Sequence, residues 1–434
     1  MLNKNHLTKE DNKEVSLLSQ LSSKDTLYNA WYLLKKENEN SFGLSGLTIK
    51  EFNNNLGANI HNIGRHLKND TYRFSPTRAA VIKKDNGNYR PLQIPEIQDR
   101  VVLKAMAILL EDQLSESLIE SEGISFAYQK GKGVREAVLK MKSSYLEKGG
   151  VILKADIINF FEEVLKDKLL DEQIFLNLKD DTLNRLIRES LSQKLGGVYK
   201  LGKQHKDLFK NAGKGIPQGN PLSPLLSNVY LSRFDAFVKR SGYSLIRYAD
   251  DFVVVFNSKE EADKGYFEIY NFLKENFSLE IHSLESKNGK TDIINPLENE
   301  LTFLSIKFDG TNIYPGKETV GLLKNRIKKT IKGAKLNDQL LKELYALIKK
   351  WIAIYSYLDI ERYFDHIDNY LKVQLHREFK RSVRTIKCSK LARNVRVKQH
   401  DKSKKSFWRN PQFTNLLPNF IRRKKIGVNT LESN

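Results

Sequence analysis

Leu245-Ile-Arg-Tyr-Ala-Asp-Asp-Phe-Val-Val-Val-Phe256 sets two short runs of β-branched and aromatic residues around Ala249, Asp250 and Asp251. Apolar runs broken by a short polar turn predict a tight hairpin, here with two adjacent carboxylates at its tip. An isolated Asp-Asp pair is ordinary turn chemistry, and a third carboxylate changes its meaning. Gly150-Val-Ile-Leu-Lys-Ala-Asp156-Ile-Ile-Asn-Phe-Phe161 supplies one, as an apolar strand that ends in Asp156 and runs into an aromatic, helix-like segment through Leu165 and Leu169. Strand-end carboxylates from two strands can converge on a pair of Mg²⁺ ions, as in-line phosphoryl or nucleotidyl transfer requires.

Between them lies Gly215-Ile-Pro-Gln-Gly-Asn-Pro-Leu-Ser-Pro224, a rigid Gly/Pro turn that lets backbone and a polar side chain approach a ligand closely, followed by a helix from Leu225 to Val238. The Asp156 strand, this turn and Tyr248-Ala-Asp-Asp251 together resemble, in order, the palm motifs of reverse transcriptases, above all bacterial ones related to group II intron proteins. The resemblance covers roughly residues 45 to 380. It implies an α+β right-hand polymerase: an N-terminal helical extension over 1–74, fingers and palm with an antiparallel palm sheet over 75–310, an α-helical thumb over 311–380 and a basic tail over 381–434. The implied activity is RNA-directed DNA synthesis, extending a 3′-hydroxyl with dNTPs under two Mg²⁺ ions. Asp156, Asp250 and Asp251 are implied as catalytic, and the same three with Ile157, which offers only its main chain, as the metal site. Phe161, five positions after Asp156, is implied as the gate beneath the sugar that excludes a 2′-hydroxyl, with Phe160 in the core. Gln218 is expected at the nucleotide's sugar and base.

Arg78-Ala-Ala-Val-Ile-Lys-Lys-Asp-Asn-Gly-Asn-Tyr-Arg-Pro-Leu-Gln-Ile-Pro95 reads as a β-hairpin about an Asn-Gly turn. In the resemblance it is the fingers hairpin, and Lys83 and Arg90 close over the triphosphate, Arg as a planar fork and Lys as a point charge. Asp99 to Asp112 is an amphipathic helix, apolar at Val102, Met106, Leu109 and Leu110. The Gly-rich basic loop 123–137 is expected at the template, and 171–214 reads as Lys- and Leu-rich helices and a loop without chemistry. The next palm lysine is Lys290 or Lys287, with Lys290 favoured. Leu301-Thr-Phe-Leu-Ser-Ile306 resembles the primer-grip hairpin, with Ser305 where Gly is usual.

From Thr319 the chain is helical and basic. Leu323, Ile327 and Ile331 form one stripe and Lys324, Lys328 and Lys332 its neighbour, so the helix can rest on protein while facing phosphates. A second helix, Leu340 to Tyr357, and the segment Glu361 to Arg381 resemble the rest of the thumb, with Lys350 in place of a usual Gly. From Lys380 to Lys425, 16 Lys and Arg stand against the single acid Asp401, with Phe407, Trp408 and Phe413 interleaved. Basic charge with aromatics suits unpaired RNA, and Trp408 is the expected stacking residue.

Composition agrees with these motifs. The 73 Lys and Arg against 52 Asp and Glu give a net charge of +21, suited to a polyanion. Cys388 is the single cysteine, which excludes intramolecular disulfides and a Cys-rich zinc module and fits a reducing cytoplasm. The first ten residues are too polar for a signal peptide, and no apolar run approaches a membrane span. The expected partners are a structured noncoding RNA template, a DNA product and dNTPs, with a companion protein or a homo-oligomer both open. Two roles are weighed, antiviral defence and a group II intron maturase. Ser305, the altered thumb and the lack of a His/Cys endonuclease array favour defence. A non-catalytic RNA-binding splicing scaffold is the alternative from another class, opposed by the intact carboxylates.

Overall fold

Apolar runs bounded by Gly, Pro and Asn become strands, and the computed structural model describes them within residues 15–34, 38–83, 87–285, 289–380, 387–391 and 393. In chain order these are β1 Thr77–Lys83, β2 Tyr89–Ile94, β3 Val151–Asp156, β4 Leu195–Gly196, β5 Ser244–Tyr248, β6 Asp251–Phe256, β7 Asp292–Ile294, β8 Leu301–Phe303, β9 Ile306–Phe308 and β10 Ile313–Pro315. Two contact units divide the chain, residues 1–294 and 295–434.

The first unit is organised on an antiparallel sheet of order β5-β6-β3-β7, the expected palm sheet. Phe252 to Phe256 of β6 are fully buried, as befits a central strand covered on both faces. Helices Val134–Lys148 and Ser223–Arg240 pack on β5, and Lys259–Phe277 packs on β3 and β6. The fingers hairpin pairs β1 with β2 antiparallel, and β4 adds in parallel on the far edge of β1. Residues 84–86 of its turn lie outside the described residues.

The N-terminal segment packs against helix Ile97–Gln113, where Val102, Met106 and Leu110 are buried. Leu17, Leu21, Leu27 and Trp31 of the expected N-terminal helical extension are buried and join the same core as the palm. The expected helix through Leu165 and Leu169 is broken instead. It runs from Phe160 to Glu163, and after an extended Val164 the Leu165 amide donates to the Tyr230 hydroxyl at 3.4 Å rather than to a helical carbonyl. A single α-helical turn, Lys166–Lys168, and a π-helical turn, Leu169–Ile174, come next.

In the second unit β8, β9 and β10 form their own sheet, so these strands group with the helices after them rather than with a palm ending at residue 310. Leu304 and Ser305, the two residues of the β8–β9 turn, have φ of 52° and 61°. The long helices among the described residues of this unit are Lys317–Ile331, Asp338–Tyr355 and Phe364–Phe379. Leu323, Ile327 and Ile331 are buried, and Lys328 and Lys332 are exposed. Lys324 instead meets His366 and lies over the Tyr370 ring. Among the described residues no helix is long and apolar enough to cross a membrane.

Candidate active site

The antiparallel register sets Asp156, the last residue of β3, opposite Asp251, the first of β6. Opposed residues share a face with Cβ atoms about 5 Å apart, so two carboxylates are fixed side by side by backbone alone. Tyr248 pairs with Asp251, leaving Ala249 and Asp250 as a two-residue turn. Ala249 has φ 60°, a conformation that favours glycine at the first position of such turns. The Asp250 carbonyl accepts from the Ile157 amide at 3.3 Å, tying the turn to the end of β3. Lys290 Nζ meets Asp156 Oδ2 at 2.8 Å. Burial, then the charges of Asp156 and Asp250, pushes the Asp251 carboxyl up to about 6.

These groups fit a divalent cation. Carboxylate oxygens are the ligands Mg²⁺ prefers, and it keeps several positions for water and substrate phosphates. Asp251 is raised first by burial and then by the neighbouring Asp156 and Asp250 charges, the second of which causes a cation would relieve, and the Lys290 ammonium already stands at Asp156 as a cation would. Ile157 can contribute only main chain. Among the described residues, no three His, Cys, Asp or Glu side chains are gathered closely enough to enclose an ion unaided. A site completed by substrate oxygens has no need of such a cage.

A cleft of about 750 Å³ opens over the carboxylates, and its walls bring together Asp156, Asp250, Arg90, Phe161, Gln218 and Lys290. Gly215 holds the Gly/Pro turn beneath it at φ 58°, where a Cβ would fall 2.0 Å from the Phe161 carbonyl, and the Ile216 amide donates to that carbonyl at 2.8 Å. At Gly219 a Cβ would lie 2.8 Å from the Gln93 carbonyl, while the Gln93 amide donates to the Gln218 carbonyl. The turn is thereby clamped between Phe161 and the fingers hairpin, which positions Gln218. Lys83 is not brought to the same place. The register sets it opposite Tyr89 and sets Ile82 opposite Arg90, so the two cations occupy alternate faces of the hairpin. Lys324, Lys328 and Lys332 belong to the second unit, and Lys287 and Trp408 lie outside the described residues.

Beneath the hairpin lies a buried polar hub that spacing alone scarcely signals. Arg247, 0% exposed, donates from Nε to Asp235 Oδ1 at 2.7 Å and from Nη2 to Asp235 Oδ2 at 2.5 Å. Its Nη1 reaches the Ala249 carbonyl at 3.1 Å and Asn228 Oδ1 at 3.2 Å. Asn228 in turn accepts from the Ser125 hydroxyl and donates to the Ala127 carbonyl at 3.0 Å. One set of buried side chains therefore fixes both the Asp250 turn and the loop ending at Tyr128, which lines the cleft with φ 62°. Positive φ at Ala249 and at Tyr128 persists where surrounding structure over-determines it. The signal was a lone Arg inside the apolar run Leu245 to Phe256; nothing in the spacing paired it with Asp235.

The sequence profile described as "Reverse transcriptase (RNA-dependent DNA polymerase)" matches residues 82–308, more than half of the chain. Protein YkfC of Escherichia coli (strain K12) is 27% identical over 200 residues, covering 45% of this chain and 49% of that protein. The group II intron-encoded protein LtrA of Lactococcus lactis subsp. cremoris is 29% identical over 218 residues, covering 50% of this chain and 32% of LtrA. The chain thus spans about half the length of the first relative and about a third of the second. Among solved structures, a telomerase from Candida albicans in complex with a fragment of telomeric RNA superposes with a TM-score of 0.45 at 13% identity, over 86% of this chain and 69% of the telomerase.

Proposed function

Because the chain belongs to the reverse transcriptase family, we propose that it is an RNA-directed DNA polymerase that extends a 3′-hydroxyl with deoxynucleoside triphosphates in a two-metal site. The observation that carries this reading is the in-register opposition of Asp156 and Asp251, with Asp250 at the turn and Arg90 across the same cleft. Two Mg²⁺ ions bound there would lower the pKa of the attacking hydroxyl and stabilise charge on the transferred phosphoryl group. Asp156, Asp250 and Asp251 would hold them, with the Ile157 carbonyl as a further donor. The Arg90 fork suits the triphosphate, and Gln218, lining the same cleft, would meet sugar or base. Phe161, also on the cleft wall, would present carbon to a 2′-hydroxyl.

Asp250→Asn or Asp251→Asn is expected to leave a folded protein with no measurable primer extension in Mg²⁺. Full activity in the double variant would sink the polymerase reading and return the chain to an RNA-binding scaffold. For the biological role, Ser305 and the thumb departure at Lys350 support copying of a dedicated noncoding RNA in antiviral defence, in the cytoplasm, over an intron maturase. Sequencing the RNA and DNA that copurify with the protein tests this. Recovery of intron RNA domains would decide for the maturase.

A further inference from the structure

Residues 194–214 carried no chemistry in the sequence, yet they fold as a fixed rim beside the cleft. At one end the Lys194 carbonyl accepts from the Thr77 amide at 2.8 Å, and β4 continues the sheet on β1. At the other, Gln93 Nε2 donates to the Ala212 carbonyl at 3.0 Å and Lys166 Nζ to the Gly213 carbonyl at 2.7 Å. Between these anchors the His205 ring packs on Tyr89 at 4.4 Å, Phe209 is buried, and Leu208 and Asn211 line the cleft. The inward positions are thus settled, and what faces outward is basic.

Lys194, Lys200, Lys203, Lys206, Lys210 and Lys214 are all exposed, and Asp207 is the single acid of the segment. Asp207 pairs with Lys210 at 3.1 Å, leaving five lysines whose charge no carboxylate of the segment offsets. Lys203, Lys206 and Lys210 succeed one another at spacings of three and four, so they share one side of this helical stretch. Tyr199, 76% exposed, stands beside Lys200, whose ammonium lies 5.7 Å from its ring. Unopposed lysines on a rigid support with an exposed aromatic make the composition of a single-strand track: phosphates meet the cations and an unpaired base can stack on the ring. A duplex hides its base faces and would leave Tyr199 without a role.

We propose that this rim carries the single-stranded RNA template toward the cleft. The assignment rests on the polymerase reading for the word template, while the track itself is read by binding alone. The test uses the full chain and the set Lys200→Glu, Lys203→Glu and Lys206→Glu. Two fluorescent RNA–DNA hybrids are compared by anisotropy across a salt series, one blunt and one with a 5′ RNA overhang of about 12 nucleotides, within the span of single-strand sites. Wild type should bind the overhang hybrid at least about tenfold tighter than the blunt one, and the variant should lose most of that increment. The slope of log affinity against log salt should fall by about 2 for the overhang hybrid, as three single-strand phosphate contacts predict.

An increment that survives in the variant, or is absent from wild type, overturns the proposal. So does equal weakening of both hybrids, which would make the rim a duplex or general phosphate surface. If the triple reversal lowers the melting temperature, the Lys→Gln set, which removes charge without adding acid, is read in its place. A chain that keeps the overhang increment yet makes no DNA would refute the polymerase reading and leave the track standing.

Discussion

Phe160 and Phe161 meet edge to face at 5.4 Å and both border the cleft, but Phe160 is 1% exposed while Phe161 is only half-buried and so offers its ring to the cleft. Phe161→Ala should therefore raise ribonucleotide over deoxynucleotide incorporation by at least about tenfold, equivalent to about 1.4 kcal/mol. Phe160→Ala should mainly destabilise, by about 3–5 kcal/mol. Single-nucleotide extension with matched dNTP and rNTP separates the two through their kcat/KM ratios. Relaxed sugar selection in Phe160→Ala alone would shift the assignment by one residue. Asp251 makes a second prediction. Its folded pKa of about 6 lies above the ordinary 3.8, so the metal-free folded state holds this proton more tightly than the unfolded chain does. The stability it contributes is fully present below about pH 4 and is lost as pH rises through about 6, an effect of about 3 kcal/mol. Urea midpoints in chelator, wild type against Asp251→Asn, should converge at high pH once offset for the substitution and diverge toward pH 4. The difference isolates this group from Asp99, which burial pushes to about 7. The order of the motifs was enough to expect the three acids at one end of the palm sheet, and the register sets Asp156 opposite Asp251. The raised proton affinity of Asp251 was not legible, since it depends first on burial and then on a register that spacing does not give.

Elements were legible where their hydrophobic period matched their environment. The hairpin of β5 and β6, the helices Ser223–Arg240 and Lys317–Ile331, and the fingers hairpin all lie close to where the sequence pattern puts them. The reading failed where tertiary partners overrode local preference: after Glu163, where Tyr230 captures the Leu165 amide, and at β4, whose Leu195-Gly196 pair becomes strand only because the edge of β1 is there to receive it. Lys83 and Arg90 show the same limit, because the sequence told their nearness to a turn but not that alternation separates their faces. The β5 hairpin also leans on helix Ser223–Arg240 through the Asp235–Arg247 pair, both 0% exposed. Asp235→Ala should cost about 3–5 kcal/mol by leaving the guanidinium buried and unpaired. Chemical denaturation would measure it, and a loss under about 1 kcal/mol would mean that Asn228 and water carry the cation unaided.

At the scale of the whole molecule, the polymerase plan was legible from the order of its motifs, and the net charge of +21 suits a polyanionic partner. The place where the chain divides was not, because β8 to β10 read equally well as the last palm strands or as the base of the thumb helices. The core cluster around the palm draws its residues from Leu17 to Ile293, all within the first unit. A protein cut after Ile294 is therefore expected to leave residues 1–294 soluble, with a single cooperative thermal transition. A gradual melt of that fragment would count against independent folding. The hub of Arg247, Asp235, Asn228 and Ser125 has a consequence for descent. Loss of Asp235 or of Arg247 strands its partner in the core at about 3–5 kcal/mol, a large share of the reserve of a marginally stable domain, whereas an apolar set of matching volume could fill the same space. Single-step routes between those two solutions pass through a destabilised ancestor. The charged pair should therefore be inherited together, each lineage keeping both residues or neither.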